Sequence, residues 1–230
     1  AQVIKLEPPG AGDLARNWGA PMPGPDHAYF VSLHRNKRSV IVDLKHPRGK
    51  ELFFRLAERC NVVLENYRVG ALARLGLDYA AARQRNPGII YCSVSGFGQD
   101  GPYRERAALD LILQAESGMI SVTGESGSGG TRAGVSIADL TAGMYAAYGV
   151  MLALRVKEKT GEGQVEIAVV GHQPGEAGAG HADAVIGAVA RDDLLLVRSA
   201  ARVVVVPDDL DQRVVGFRAG IGEEHLRHRR

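Results

Sequence analysis

The chain has 230 residues, 45% hydrophobic and 23% charged, enough to bury a sizeable core and too apolar for disorder along its whole length. Lys+Arg of 28 against Asp+Glu of 26 leaves a net charge of +2, too balanced for a protein that reads nucleic-acid phosphate. Two cysteines make neither a disulfide framework nor a metal cluster, which points to a reducing, cytoplasmic setting, and the absence of an apolar run of ~18 residues argues against a membrane span.

Val3-Ile4-Lys5-Leu6 is a short strand stopped by Pro8-Pro9-Gly10, and a Pro/Gly-rich loop follows through Pro25. Ser39–Leu44 is β-branched and predicts a second strand. Pro47 suits the first turn of a helix carrying Leu52, Phe53, Leu56 and Ala57 at helical spacing. Val62–Glu65 predicts a third strand, short helices follow near Leu72 and over Tyr79–Arg85, and Gly88–Val94 predicts a fourth strand. This alternation predicts an α/β fold, a parallel sheet with crossover helices.

Gly96-Phe97-Gly98-Gln99-Asp100-Gly101-Pro102 is a glycine-laden loop, and a helix is expected near Leu109–Gly118. Gly124–Gly130 reads as a surface turn, and Arg132–Ser136 as strand-like. Ile137 to about Lys157 is the longest periodic stretch and predicts a buried or half-buried helix ending before Gly161. Gln164–Val170 predicts a further strand. From Gly171 the texture changes: Lys disappears and Phe217 is the only aromatic residue. The chain therefore divides into residues 1–170 and a divergent tail, 171–230, that reads like another reading frame of a GC-rich gene.

No metalloprotease pattern, Walker loop, nucleophile elbow or dinucleotide fingerprint is present, so no metal and no tightly bound cofactor are expected. The pointed feature is Asp139, at the start of the long apolar helix. Such a residue caps a helix, because its oxygens accept free N–H groups and suit the helix dipole. The same position can hold an ionised carboxylate ready to act as a nucleophile, and one residue can do both.

Several separated motifs agree in order and spacing with one family. They are Val3–Gly10, Asn36-Lys37-Arg38-Ser39, Asp43-Leu44-Lys45, Glu65–Leu72, Ser93–Gly98, Ile137–Gly143 and Lys159–Gln164. Over residues 1–170 the chain resembles the class III CoA-transferases of CaiB/BaiF type, a family that includes formyl-CoA transferase, carnitine CoA-transferase and α-methylacyl-CoA racemase. The resemblance implies a Rossmann-like large domain of an interlocked homodimer, here incomplete at both ends, with acyl-CoA and a carboxylate acceptor as substrates. It places the catalytic aspartate on Asp139, which forms an aspartyl anhydride and then an aspartyl-CoA thioester. It places coenzyme A contacts on Asn66, Tyr67 and Arg74, with Arg38 and Lys37 adding charge for phosphate, and makes Gly96 and Gly98 candidate oxyanion donors. An inactive CoA-binding or dimerisation fragment is the alternative. The racemase branch carries a histidine where this chain has Leu109, and leucine cannot relay a proton.

Overall fold

The computed structural model describes residues 1–24, 26–169 and 203–206. Six strands form one sheet: β1 (Gln2–Glu7), β2 (Lys37–Ile41), β3 (Val62–Glu65), β4 (Ile90–Ser95), β5 (Val165–Val169) and β6 (Val203–Val206). Their order is β2-β1-β6-β3-β4-β5. β1 pairs parallel with β2, and β3, β4 and β5 are parallel neighbours. β6 runs antiparallel to both β1 and β3, so β1 to β5 all point the same way. The α/β expectation holds, and the sheet is mixed rather than wholly parallel because β6 enters at its centre. The rest of the tail lies outside the described residues, including the proposed boundary at 170.

Among the described residues six α-helices accompany the sheet: α1 (Ala28–His34), α2 (Pro47–Ala57), α3 (Ala71–Leu75), α4 (Tyr79–Arg85), α5 (Asp110–Glu116) and α6 (Ile137–Thr160). Pro47 opens α2 as predicted, with His46 Nδ1 accepting from the Arg48 N–H. β3 and β4 are largely apolar and covered on both faces. Val63 and Tyr91 join the larger core with Phe53, Leu56 and Ala57 from α2, Leu72 from α3, Ala82 from α4, and Leu77 between the last two. On the other face, Cys92 and Val94 meet Ala142 and Ala146, while Val62 and Ile90 meet Ala153. Late β4 thus touches early α6, and early β3 and β4 touch late α6. The helix runs antiparallel to the strands, and its N-terminus sits at their carboxyl edge.

α6 is long and apolar enough, by length and composition, to cross a membrane. The sequence-based exclusion of any such segment is corrected here, since interspersed small residues do not lower a helix below that threshold. Ala142, Ala146, Gly149 and Ala153 recur at helical spacing and are buried, so this face is committed to packing.

Two strands differ from expectation. β2 begins at Lys37 and ends at Ile41, not Leu44, because its partner β1 stops at Glu7 before Pro8. The last bond is Val42 N–H to the Glu7 carbonyl (2.8 Å), and Val42 and Leu44 are buried in the turn into α2 without a strand to pair with. Arg132–Ser136 is not a strand. The side chain of Gln114 takes a strand's place there, accepting from the Ala133 N–H (2.8 Å) and donating to the Val135 carbonyl (3.3 Å).

One face of β1 carries buried charge. Lys5 is 2% exposed and Glu7 1%, and Lys5 bonds to Asp13. Glu7 accepts from Arg16 through both oxygens (2.8 Å each), from the Ser39 hydroxyl (2.6 Å) and from the Asp13 N–H (3.0 Å). Burial alone would raise the Glu7 carboxyl, but the Arg16 and Ser39 bonds, the Asp13 amide and the Lys5 charge outweigh it and hold the group at about 2.

Gly96 opens the loop after β4, and a Cβ there would stand 2.0 Å from the Ala108 Cβ. That contact fixes the glycine loop against the chain entering α5.

Glu7→Gln should cost ~3 kcal/mol at neutral pH, the scale for breaking one side of a buried ion pair. Glu7 is depressed in the folded state, so its contribution is complete above the ordinary value of 4.5 and is lost as pH falls through about 2. Urea unfolding midpoints of wild type and variant should therefore converge between those two pH values. In the same assay at pH 7, Gly96→Ala should cost ~1–3 kcal/mol by overpacking. Gly134→Ala, with no atom within 4 Å of its new methyl, should stay within ~0.5 kcal/mol of wild type.

Candidate active site

In sheets of this kind, ligands bind beyond the carboxyl ends of the strands. That edge here carries Asn66 and Tyr67 after β3, the Gly96–Pro102 loop after β4, and the first turn of α6. Phe97 packs with Ala108 and Leu113, and Ala138 packs against that cluster. The glycine loop, the start of α5 and the start of α6 are therefore one packed unit.

Asp139 is the third residue of α6 and is half-buried. A second acidic residue also serves this helix end. Ser136 precedes the helix without a side-chain capping bond, and the cap comes from another helix. Asp110 Oδ1 accepts from the Ala138 N–H (2.9 Å) and the Asp139 N–H (3.3 Å). Asp139 stands in the first turn, where the helix dipole favours a negative charge.

Tyr29 joins this group and was not singled out from sequence. Burial raises its hydroxyl pKa, and the negative charges of Asp139, Asp110 and Asp13 raise it further. The phenol is therefore kept protonated. Its ring meets Trp18 at 5.6 Å. The sequence reading passed over the segment between Pro25 and Asn36, which forms α1.

The predicted coenzyme A residues divide into two groups. Asn66 Nδ2 donates to the Val94 carbonyl (2.8 Å), tying the loop after β3 to the end of β4. The Tyr67 N–H donates to Glu65 Oε2 (2.7 Å), and the Tyr67 ring lies partly buried against the larger core. Burial pushes the Glu65 carboxyl up, with the Tyr67 amide and the Ser93 hydroxyl opposing the shift. Arg74 is exposed in the last turn of α3 and reaches back over Gly70. These three residues form one loop-and-helix unit at the carboxyl edge.

Lys37 and Arg38 stand elsewhere, at the amino end of β2, with β1 and β6 between them and β3. Arg38 is exposed on an edge strand. Lys37 is half-buried, with Nζ 3.2 Å from His34 Nδ1. Burial and the Lys5 charge lower the Lys37 ammonium pKa. Burial, followed by the charges of Lys37 and Lys5, lowers His34 to about 4.

Gly96 is occupied by its contact with Ala108, and Gly98 has a φ of 87° that favours glycine. Two polar neighbours escaped sequence reasoning because the glycines dominate the motif. Ser95 Oγ and Gln99 Nε2 are buried without a hydrogen-bond partner among the described residues. Buried donors in that state mark a place where a ligand oxygen would be stabilised. Among the described residues no group of three His, Cys, Asp or Glu could hold a metal ion. The arrangement offers a carboxylate at a helix terminus, a neutral phenol and buried donors, a set suited to acyl transfer onto a carboxylate.

The family model for CoA-transferase family III matches residues 1–173. Succinyl-CoA:glutarate CoA-transferase of Homo sapiens is 44% identical over 163 residues, covering 71% of this chain and 37% of that protein. Succinate--glutarate CoA-transferase of Agrobacterium fabrum is 43% identical over 170 residues, covering 71% of this chain and 42% of that protein. A CAIB/BAIF family protein from Brucella suis superposes with a TM-score of 0.67 at 40% identity, covering 70% of this chain and 44% of the other. The chain thus spans less than half the length of these relatives. Its separated motifs, strands β1 to β5 and helix-terminal aspartate lie within one continuous match, and the chain belongs to CoA-transferase family III.

Proposed function

We propose that this chain carries the nucleophile of a transferase that moves coenzyme A from an acyl-CoA to a carboxylic acid. The observation that supports this most is Asp139, placed in the first turn of α6 with the local N–H groups already served by Asp110. The carboxylate of Asp139 attacks the thioester carbonyl carbon, the C–S bond breaks, and coenzyme A leaves as a thiolate. The thiolate attacks the aspartyl carbonyl of the resulting anhydride, releasing the first acid and leaving an aspartyl-CoA thioester. The acceptor carboxylate attacks that thioester and expels the thiolate. The thiolate then attacks the acceptor's carbonyl, giving the new acyl-CoA and free Asp139. Each step replaces one carboxylate or thiolate by another, so no net proton transfer is needed.

Tyr29, Ser95 and Gln99 are the groups able to donate to oxygens that gain charge in these steps. Asn66, Tyr67 and Arg74 form the coenzyme A surface in this reading, while Lys37 and Arg38 lie at the opposite end of the sheet. The relatives named for succinyl-CoA and glutarate support short dicarboxylic acids as donor and acceptor. Racemisation is the weaker reading, because Leu109 (63% exposed) offers no proton relay beside Asp110. Two free, buried cysteines fit a reducing cytoplasm, with burial pushing the Cys60 thiol up to about 12. A homodimer would cover the apolar stripe of Leu140, Met144, Tyr148 and Leu152 along α6, each about half exposed.

Incubation with radiolabelled succinyl-CoA and hydroxylamine should leave a hydroxamate on Asp139, located by peptide mass. Asp139→Asn should lower its formation by roughly 10³-fold or more, the scale for losing a covalent nucleophile. The coenzyme A dissociation constant should change less than ~3-fold, because the carboxylate touches the acyl group and not the nucleotide. Coenzyme A binding without hydroxamate formation in the wild type would leave a binding or dimerisation module and end the transferase reading.

A further inference from the structure

We propose that Asp110 and Gln114 form a clamp that sets the position of Asp139, making both positioning residues for the reaction. The catalytic part of this inference rests on Asp139 being the nucleophile; the clamp itself rests on geometry. The first N–H groups of a helix have no partner within it. In α6, two of them are taken by a single oxygen from another helix, Asp110 Oδ1 (2.9 Å to Ala138 N, 3.3 Å to Asp139 N).

The other carboxylate oxygen fixes the direction of the first. Asp110 Oδ2 accepts from Gln114 Nε2 at 2.6 Å, one helical turn along α5. Gln114 is 1% exposed and fully engaged. Its Oε1 accepts from the Ala133 N–H (2.8 Å), and its Nε2 also reaches the Val135 carbonyl (3.3 Å). One buried amide thus holds the chain entering α6, and one carboxylate holds the first turn of that helix. Leu113, between them in sequence, joins the cluster that packs against Ala138. Both side chains sit on α5, so the backbone of Asp139 is located relative to a second helix rather than by its own loop.

Charge-assisted bonds of this type are about twice as strong as neutral ones, and a polar network this buried is costly to satisfy in part. Misplacing a nucleophile by ~1 Å can cost ~10²-fold in rate without weakening binding. The clamp should therefore act on the chemical step and not on affinity.

Three variants of the full chain test it: Asp110→Asn, Gln114→Glu, and the two together. In Asp110→Asn, the new amide turns its NH₂ toward the NH₂ of Gln114, and two donors meet. In Gln114→Glu, two carboxylates meet. In the double variant, the amide at 110 donates to the carboxylate at 114. The oxygen at 110 still accepts from Ala138 and Asp139, and the second oxygen at 114 still accepts from Ala133. Each single variant should slow hydroxamate formation on Asp139 by ~10²-fold at saturating succinyl-CoA, with half-saturation within ~3-fold of wild type. Hydrogen exchange at the Ala138 and Asp139 amides should speed up in both. The double variant should return to within ~10-fold of wild type and recover amide protection and melting temperature, a non-additive rescue. Single variants within ~3-fold of wild type with protected amides, or a double variant no better than the worse single, would overturn the proposal. If the wild type itself forms no hydroxamate, the nucleophile reading fails. The amide exchange and its rescue then decide the clamp independently.

Discussion

The seating of α6 on the sheet is the contact on which the rest depends. Ala142, Ala146, Gly149 and Ala153 give this helix a face without bulk, and it lies against Val62, Ile90, Cys92 and Val94 with its axis opposed to the strands. Because β1 to β5 point one way, that packing delivers the positive end of a 24-residue helix to the carboxyl edge of the sheet. Asp139 is two residues into that end. Bulkier side chains at the small positions would lift the helix and carry the site away with it.

Charge is managed differently at the two ends of this edge. Near β1, the buried Lys5 and Glu7 are neutralised by the less buried Asp13 and Arg16, with the Ser39 hydroxyl donating to Glu7. Such a network contributes little net stability over an apolar core, but it is intolerant of losing one member. At α6 the compensation is by dipoles: Asp110 is matched by backbone N–H groups and a buried amide. The first arrangement holds β1, β2 and the loop before α1 together. The second leaves Asp139 close to a fixed negative charge whose lone pairs are already committed.

Much of the framework was legible in the sequence. The apolar runs at Val62–Glu65 and Ile90–Ser95 are strands because both faces are covered, and the helix at Pro47 starts where proline's fixed φ and missing N–H cost nothing. Errors arose where burial imitates pairing. Val42 and Leu44 are β-branched or apolar and buried, yet β1 ends too early to pair with them. Arg132–Ser136 has the composition of a strand, yet its backbone bonds to the side chain of Gln114. No local pattern separates these cases, because the partner is distant in sequence.

Asp139 could be singled out in the sequence because a carboxylate opening a long apolar helix has few explanations, and its neighbours repeat a family's spacing. Asn66, Tyr67 and Arg74 follow from the same spacing, since a loop after a strand is positioned by the strand. The sequence by itself therefore determined most of the element types and the family, which show in local patterns and in the order of separated motifs. Only the tertiary structure decided that Asp110 caps the helix of Asp139 and that Lys37 and Arg38 lie at the far end of the sheet. Those relations are set by strand order and helix direction, which depend on contacts between residues far apart in the chain.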